Sequence, residues 1–391
     1  MRLLAASLVL LAFSAVADAA PREADPAFLA TIVDDLPPPL PRGLAAHERG
    51  LALPRAPFAP LAPPASVPRA QAEYEANHGI LIRWGNFNAL HTAMVVPLTT
   101  AEPPADVWIV VGNTNQQNSA TTVLANAGAD LAHVHFVIAS TDSVWIRDYG
   151  PRFIDDAGRR AIADHTYNRP RPNDNNFPGV FAGQLGETRY VMPLVHGGGN
   201  FHLFRNREAF MTRLIVNENP SSTEQEIKDT YLAYQGLDVT LTDPFPSSYD
   251  STQHIDMWML PLGDDKVLIG EYAAAEGGGV PKAVTDATAA LMQSRGYTVH
   301  RTPGWRSGGA HYTYTNAVIV NQVALICRFG GSNATRDAEA RATFEAAMPD
   351  HDIVQVDCSG IIGLSGAIHC IVMHVPDLLL RTDFDGAIPQ P

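Results

Sequence analysis

Three segments that lie far apart in the chain carry side chains able to do covalent chemistry together. Cys370 follows His369 near the C-terminal end, Asp148 lies in the first half, and His254 and Asp256 lie between them. A thiolate is a nucleophile, an imidazole moves protons and carboxylates bind cations. The set therefore suits covalent attack on the carbon of a positively charged group, and it predicts a hydrolase of guanidinium groups.

Cys370 is the candidate nucleophile. A free thiol has a pKa of about 8.5, so it needs a positive neighbour or a bound cation to become a thiolate at neutral pH. The alternative is an inert, buried cysteine. If this segment is a strand, adjacent side chains point to opposite faces, and we expect His369 to lie outside the pocket of Cys370.

The two candidate carboxylates differ in setting. His254 and Asp256 are two residues apart, so on a strand they share one face; a metal-type or solvent-facing pair is the alternative. Asp148 follows Trp145 and Arg147, which favours a cleft-lining position or a structural pair between Arg147 and Asp148. Two carboxylates around a planar guanidinium can form charge-assisted, bidentate hydrogen bonds and hold its carbon in place.

Two arginines, Arg169 and Arg171, alternate with prolines, which keep the backbone extended. In a site that binds a cation, two further guanidinium groups are useful only if the substrate carries a carboxylate elsewhere. A basic surface loop is the alternative. No glycine-rich phosphate motif and no zinc-type cysteine spacing occurs, so we expect no nucleotide, no metal and no other cofactor.

Composition and charge limit the remaining possibilities. The 391 residues are 46% hydrophobic with a formal net charge of −14, which argues against nucleic-acid binding. Residues 1–19 have the charged start, apolar core and A-x-A site of a cleaved signal peptide, so we expect export to the periplasm or the exterior. No later segment is long enough to span a membrane, so none is expected in the mature chain.

We divide the rest of the chain into a proline-rich lead or spacer over residues 20–69, which has no sustained periodicity, and one catalytic domain over residues 70–391. Short apolar strands alternate there with helices predicted at 120–127, 223–234 with Ser222 as N-cap, 284–295 and 337–347, a pattern that predicts an α/β fold. A last strand is predicted over 371–374. Of the three cysteines, Cys327 and Cys358 form either a disulfide or two buried thiols.

Six short segments in one order resemble the Porphyromonas-type peptidylarginine deiminase and agmatine deiminase group of the guanidino-group-modifying (pentein) superfamily. The resemblance covers residues 73–376. The matching segments are Thr141–Tyr149, Tyr167–Asp174, Gly198–Asn200, His254–Trp258, Tyr314–Asn316 and Ala367–Cys370.

The resemblance implies a five-bladed α/β propeller with pseudo-fivefold symmetry and a site on its axis. It implies Cys370 as nucleophile, His254 as general acid and base, Asp148 and Asp256 as guanidinium ligands, and Asn316 in the lining of the site.

The resemblance also implies that Arg169 and Arg171 receive the carboxylate of a C-terminal arginine. Relatives of that branch have a tyrosine three residues before the catalytic histidine, where this chain has Ser251. Tyr249 lies nearby, and we count it, with Trp145, among the candidate substrate-binding residues.

The predicted reaction is conversion of peptidyl-arginine, with C-terminal arginine preferred, to citrulline and ammonia through a covalent thiouronium on the cysteine. Its partners are arginine-containing peptides or proteins. The alternatives are an agmatine or free-arginine deiminase and a catalytically inactive arginine-peptide-binding protein. The oligomeric state is left open.

Overall fold

The structure, a computed structural model, describes residues 20–54 and 61–376. The predicted signal peptide, residues 1–19, lies outside the described residues. No helix within the described ranges combines the length and the apolar character needed to cross a membrane.

Short strands and helices alternate through the described part of the chain, as the sequence predicts. The strands are β1 (Arg69–Ala70), β2 (Asn77–Arg83), β3 (Asp106–Val111), β4 (Val134–Ile138), β5 (Arg152–Asp156), β6 (Arg159–Tyr167), β7 (Thr188–His196), β8 (His202–Leu203), β9 (Glu208–Thr212), β10 (Asp238–Thr242), β11 (Met259–Gly263), β12 (Lys266–Glu271), β13 (Thr298–Ser307), β14 (Ala310–Thr313), β15 (Val318–Val320), β16 (Val323–Arg328), β17 (Asp352–Asp357) and β18 (Met373–Pro376). The helices are α1 (Pro26–Leu29), α2 (Asn88–Thr100), α3 (Thr114–Ala127), α4 (Ile146–Tyr149), α5 (Pro172–Leu185), α6 (Leu214–Glu218), α7 (Glu224–Gln235), α8 (Val280–Ser294) and α9 (Ala334–Ala347).

Within the described residues the strands form five small sheets that repeat one pattern. In each, two strands pair antiparallel and the second then pairs parallel with a third strand, which it reaches through one or two helices. The antiparallel pairs are β18–β2, β5–β6, β8–β9, β11–β12 and β15–β16, and the parallel pairs are β2–β3, β6–β7, β9–β10, β12–β13 and β16–β17. This fivefold ββαβ repeat agrees with the expected α/β propeller.

The two ends of the described domain meet in one sheet. Strand β18, at the end of the described chain, pairs with β2, so residues 373–376 close the circle. Central strands such as β3 are buried along nearly their whole length, because helices cover one face and neighbouring units the other. Their continuous apolar runs in the sequence reflect this two-sided burial.

Three local predictions are corrected. Helix α7 has Thr223, not Ser222, as its N-cap, and the Thr223 hydroxyl accepts a hydrogen bond from the amide of Glu226. The strand expected over 371–374 begins only at Met373. The extended loop expected at the Arg-Pro segment ends at Arg171, because Pro172 is the first residue of α5, where proline costs no hydrogen bond.

Cys327 and Cys358 form a disulfide, which decides between the two alternatives that the sequence leaves open. Cys327 lies in β16, and Cys358 directly follows its parallel neighbour β17. Both side chains are fully buried. The bond therefore joins two strands of one unit on either side of α9.

We expect reduction of this disulfide to lower the free energy of unfolding by roughly 3 to 4 kcal/mol, because it closes a loop over a sequence separation of 31 residues. Urea unfolding with and without a thiol reductant measures the difference. The double variant Cys327→Ala/Cys358→Ala should be destabilised similarly and show no further response to the reductant. A wild-type chain that unfolds at the same urea concentration in both conditions would contradict the prediction.

Candidate active site

Four of the predicted site residues and Gly199 lie at equivalent places in the five units. Each stands shortly before the first strand of a ββαβ repeat: Asp148 before β5, Gly199 before β8, Asp256 before β11, Asn316 before β15 and Cys370 before β18. Equivalent segments of a circular repeat meet near its centre. The fold therefore collects side chains that are more than 200 residues apart in the sequence.

Hydrogen bonds link these five segments into a closed ring. The Gly199 amide donates to Oδ1 of Asp148 (3.0 Å), and the Asp256 amide donates to the Gly199 carbonyl (3.2 Å). Nδ2 of Asn316 donates to the Asp256 carbonyl (3.3 Å), and the His369 amide donates to Oδ1 of Asn316 (3.1 Å).

Arg147 completes this ring, since its Nε donates to the His369 carbonyl (3.2 Å). Arg147 is buried, and its guanidinium also pairs with Glu73. The sequence offers a structural pair of Arg147 with Asp148 as one possibility. The structure gives Arg147 this different partner and leaves the Asp148 carboxylate to face the pocket.

The side chain of Arg42, from the proline-rich lead, fills the centre of the ring. Its Nε and Nη2 donate to Oδ2 and Oδ1 of Asp148 (2.9 and 2.8 Å), and its Nη1 and Nη2 donate to Oδ1 and Oδ2 of Asp256 (3.1 and 2.9 Å). Nη2 also lies 2.8 Å from Nδ1 of His254. Both carboxylates thus bind one guanidinium in a bidentate manner, the arrangement proposed for these residues from the sequence.

Glycine at position 199 is required by this geometry. A Cβ on Gly199 would lie 1.7 Å from Nη2 of Arg42 and 2.7 to 2.8 Å from oxygens of Asp256 and Asp148. Any side chain there would therefore occupy the space of the guanidinium. The sequence analysis noted this glycine only as part of a matching segment.

Cys370 lies against the same group of residues. Its Sγ is 3.3 Å from Oδ1 of Asn316 and 3.7 Å from Oδ2 of Asp256, and it accepts from the Ala367 amide at 3.4 Å. Of the three cysteines in the chain it is the free one, and it is buried. Asn316 contacts both the thiol and the backbone of its neighbour His369, so it positions the nucleophile segment.

The charges of the site depend on each other. Burial would raise the pKa values of Asp148 and Asp256. The positive charge of Arg42 outweighs this effect, and His254 at Asp148 and His369 at Asp256 lower the pKa further. Both pKa values therefore lie below the usual range. Burial raises the pKa of the Cys370 thiol well above its usual value, and both carboxylates raise it further, whereas Arg42 lowers it. A guanidinium in the pocket therefore favours the thiolate.

His254 is neutral in this arrangement. Burial, followed by the charge of Arg42, lowers the pKa of His254. Since a guanidinium only donates hydrogen bonds, the Nδ1 atom that faces Arg42 is an acceptor. This nitrogen stands beside Nη2 and can carry a proton to or from it.

His369 corrects a sequence-based expectation. Residues His369–Ile371 form a 3₁₀ turn rather than a strand, so the alternation of a strand does not apply. Nδ1 of His369 lies 3.0 Å from Oδ2 of Asp256, the oxygen that also faces Cys370, and Nε2 lies 2.9 Å from Oε2 of Glu73. His369 is thus part of the site, where it orients Asp256 from behind.

The arginine pair contacts the backbone around Arg42. Nε of Arg169 donates to the Arg42 carbonyl (3.1 Å), and Nη2 of Arg171 donates to the carbonyls of Pro41 (2.7 Å) and Gly43 (3.1 Å). Arg171 also forms a buried ion pair with Glu48 (2.8 Å). Both arginines are buried, which excludes the alternative of an exposed basic loop.

The other two candidate substrate-binding residues differ. Nε1 of Trp145 donates to the Leu40 carbonyl (2.8 Å), two residues before Arg42. The Tyr249 hydroxyl donates to Glu276 (3.3 Å), and its ring packs against His311. The structure thus brings Trp145 to the site, and the contacts described for Tyr249 lie elsewhere.

One group of side chains could hold a metal ion. Ligand atoms of Glu73, His202 and His369 lie within 4.8 Å of one another. However, Glu73 already pairs with the positive charge of Arg147 and accepts from His369. This group fits a role in supporting His369 better than binding a cation.

Two residues of the lead, Arg42 and Glu48, are not predicted from the sequence. Arg42 stands between Pro41 and Gly43 in a segment whose composition indicates only a spacer, so no local signal marks it. Glu73 is not predicted either, since it precedes the first long strand by a few residues and belongs to no motif.

Comparisons with known proteins identify the family of the chain. The sequence model of the Porphyromonas-type peptidyl-arginine deiminase family matches residues 69–376. Agmatine deiminase of Ectopseudomonas mendocina is 24% identical over 339 residues, which cover 74% of this chain and 87% of the relative. Agmatine deiminase of Stutzerimonas stutzeri is also 24% identical, over 66% of this chain and 81% of the relative.

Solved structures show the same fold. The structure of agmatine deiminase of Enterococcus faecalis superposes with a TM-score of 0.69 at 18% identity and covers 81% of this chain and 100% of its own. A C. jejuni agmatine deiminase with substrate bound gives 0.68 at 15% identity, over 79% of this chain and 96% of its own. This chain thus shares its α/β fold with both structures, and the expected propeller is consistent with that likeness.

We expect Asp256→Asn to lower the free energy of unfolding by about 3 to 5 kcal/mol at pH 7, since it removes one partner of a fully buried ion pair with Arg42. Urea unfolding measures it. Glu224→Gln is the matched control, because its pair with Arg213 is half exposed and should contribute less than about 1 kcal/mol. Equal, small effects of the two substitutions would show that the guanidinium is not held as described.

Proposed function

The chain belongs to the Porphyromonas-type peptidyl-arginine deiminase family, whose members hydrolyse C–N bonds of guanidinium groups, and we propose that its substrate is an arginine residue of a peptide. The products are then a citrulline residue and ammonia. The main support for a peptide substrate is the hydrogen bond that Arg169 donates to the main-chain carbonyl of Arg42. Agmatine has no such carbonyl.

Further contacts to the backbone around Arg42 support a peptide substrate. The Arg42 amide donates to the Leu364 carbonyl (2.9 Å), and Arg171 and Trp145 bind carbonyls on either side. A pocket for a small guanidine alone would need none of these groups. The backbone contacts instead suit an arginine with residues before it.

The contacts of Arg169 and Arg171 also suit a C-terminal arginine. Arg171 binds the Glu48 carboxylate with Nε and Nη2, and a terminal carboxylate in place of the Arg42 carbonyl would gain a charge-assisted bond to Arg169. Yet Arg42 is followed by Gly43, which lies close to Ser251: a Cβ on Gly43 would be 3.1 Å from Oγ of Ser251. A side chain larger than serine at position 251 would crowd the chain after the arginine, so Ser251 also suits an arginine that is followed by glycine.

The first half of the reaction follows from the contacts of Arg42. The Asp148 and Asp256 carboxylates hold the substrate guanidinium, and its charge lowers the pKa of Cys370. Sγ then forms a bond to the guanidinium carbon, and the thiol proton passes to His254. His254 returns it to the leaving nitrogen, the C–N bond breaks, ammonia departs, and a thiouronium cation stays on Cys370.

Water completes the turnover. His254 takes a proton from the water as its oxygen bonds to the thiouronium carbon. The C–S bond then breaks as the hydroxyl proton of the intermediate passes to the sulfur. The thiol of Cys370 is restored, a neutral ureido group remains, and His254 releases its proton to solvent. Because the product has lost its positive charge, it no longer pairs with either carboxylate and can leave.

Agmatine is the second candidate substrate. It is favoured by the names of the curated relatives from Stutzerimonas and Ectopseudomonas. The guanidinium end of the pocket would serve agmatine equally well, so the two candidates differ only in the need for Arg169 and Arg171.

We also propose that the protein is exported. The N-terminal 19 residues have the features of a signal peptide. The Cys327–Cys358 disulfide supports this proposal, because structural disulfides are rare in the reducing cytosol. Detection of the mature chain in periplasmic or culture fractions, starting after residue 19, would test it.

The substrate test compares a peptide ending in arginine, a peptide with an internal Arg-Gly, and agmatine. In the Arg42→Ala chain, where the guanidinium of the lead is absent from the pocket, we expect the added substitutions Arg169→Ala/Arg171→Ala to lower kcat/KM for both peptides about a hundredfold, since two charge-assisted hydrogen bonds of roughly 1.5 kcal/mol each are lost, and to leave agmatine turnover within a few fold. Ureido product and ammonia are measured.

Arg213→Ala, which changes an exposed arginine, should leave all three rates unchanged, and Cys370→Ala should abolish them. A double variant that retains its peptide activity while agmatine is the better substrate would reject the peptide proposal. Absence of ammonia from every substrate with both the wild-type and the Arg42→Ala chain would reject the hydrolase itself.

The pH dependence should reveal activation of the thiol by the substrate. Burial raises the pKa of Cys370, and a bound guanidinium lowers it, so ionisation in the enzyme–substrate complex needs a lower pH than in the free enzyme. In the Arg42→Ala chain, where the only guanidinium in the pocket is the substrate's, kcat should rise with pH at a lower midpoint than kcat/KM. Identical midpoints, or the reverse order, would contradict substrate-assisted ionisation.

A further inference from the structure

The proline-rich lead crosses the entrance of the site and places its own arginine in the pocket. The side chain of Arg42 is 0% exposed, and it uses both carboxylates and His254. No second guanidinium can reach Asp148 and Asp256 while Arg42 is there. The catalytic groups of this chain are therefore covered in the described structure.

The lead is fixed to the domain upstream of Arg42. Nε1 of Trp84 donates to Asp35 (2.7 Å), and the amide of Asn88 donates to Asp34 (2.8 Å). The Leu36 amide donates to the Gly85 carbonyl (2.9 Å). These contacts lie on the loop between β2 and α2, away from the catalytic residues.

It is fixed again downstream. Glu48 forms a buried ion pair with Arg171 and also accepts a hydrogen bond from the Ala45 amide (2.7 Å), which closes a tight turn after Gly43. Burial would raise the pKa of Glu48, yet its bonds with Arg171 and Ala45 lower it, so Glu48 is charged at neutral pH. Arg171 thus holds the lead with the same donors that the proposed function assigns to substrate binding.

We propose that residues 33–49 are a built-in inhibitory segment, with Arg42 as a pseudosubstrate that keeps the enzyme latent until the lead is displaced or removed. This inference rests on the proposed function, since it assumes that the covered pocket binds arginine substrates. It assigns a task to the lead, which the sequence describes only as proline-rich.

The tether gives the lead a large advantage over substrate. A ligand joined by a short linker has an effective concentration in the millimolar range. A peptide at micromolar concentration would thus compete poorly with Arg42. The prolines at positions 37–39 and 41 add to this advantage, because they restrict the backbone and reduce the entropy lost when the lead binds.

Arg42 must also resist turnover for the latency to last. The contacts at Asp35 and Glu48 hold the lead on both sides of the buried Arg42, so the pocket stays closed over the guanidinium. A free peptide lacks these anchors and can move enough to release ammonia and admit water. We therefore expect Arg42 to remain arginine in the purified protein.

The first experiment compares the wild-type full chain with Arg42→Ala on an arginine peptide at micromolar concentration. We expect Arg42→Ala to raise kcat/KM at least tenfold, mainly through a lower KM, and Glu48→Gln to give a smaller rise. Arg49→Ala, an exposed arginine seven residues on, should have no effect. Wild-type and Arg42→Ala chains of equal activity would overturn the proposal.

A second experiment tests the inhibitory segment as a separate ligand. A synthetic peptide of residues 33–49 should inhibit the Arg42→Ala chain competitively, and the same peptide with alanine at position 42 should not. If calorimetry shows that the first peptide binds although no substrate is turned over, the pseudosubstrate role stands and the proposed function fails. Equal binding of the two peptides would overturn the pseudosubstrate role.

Mass spectrometry of the lead provides the last check. An unmodified Arg42 in the purified wild-type chain supports lasting occupation of the pocket. A gain of about one dalton at Arg42 would show that the lead is consumed as a substrate, and it would overturn the proposed latency.

Discussion

Two buried carboxylates that face one pocket form the constraint on which this structure depends. Asp148 and Asp256 are almost completely inaccessible, and two like charges in such a place are tolerable only with a cation between them. The ring of backbone and Asn316 hydrogen bonds holds the acids in place, Gly199 leaves space for a flat group, and His369 and Glu73 support Asp256 from behind. A guanidinium satisfies both acids in a bidentate manner, so the specificity for this group follows from electrostatics before any chemistry occurs.

The same constraint explains why the thiol of Cys370, the proposed nucleophile, need not be permanently reactive. A thiolate beside two carboxylates in a dry pocket would add a third negative charge, and the raised pKa of Cys370 is the expected result. A guanidinium acts against this balance, because its positive charge lowers the pKa of the thiol and of both acids at once. Binding and activation are thus linked, and a neutral ligand of similar shape would give the thiol no such help.

The meeting of Asp148, Asp256 and Cys370 in one pocket was predictable because each lies in a short segment with its own signature, and a circular repeat brings equivalent segments to one place. The α/β alternation was predictable because buried parallel strands leave continuous apolar runs. The local geometry was not. His369 was assigned to a strand, although a 3₁₀ turn brings it beside Cys370, and α5 was missed because prolines and glycines hide a helix that burial of Phe177 and Phe181 stabilises. Arg42 was missed because nothing local distinguishes an arginine that is tethered to a pocket from one in a spacer.

Binding of the lead and binding of the proposed substrate depend on the same side chains of the pocket. Arg169, Arg171 and both carboxylates bind Arg42 and its backbone, so any substitution that weakens the lead from the side of the pocket also weakens the substrate. Independent control is possible only from the lead itself, through Arg42 and Glu48, or through its distant contacts at Trp84 and Asn88. A segment that must be removable is therefore best anchored where this one is, partly on groups that take no part in the reaction.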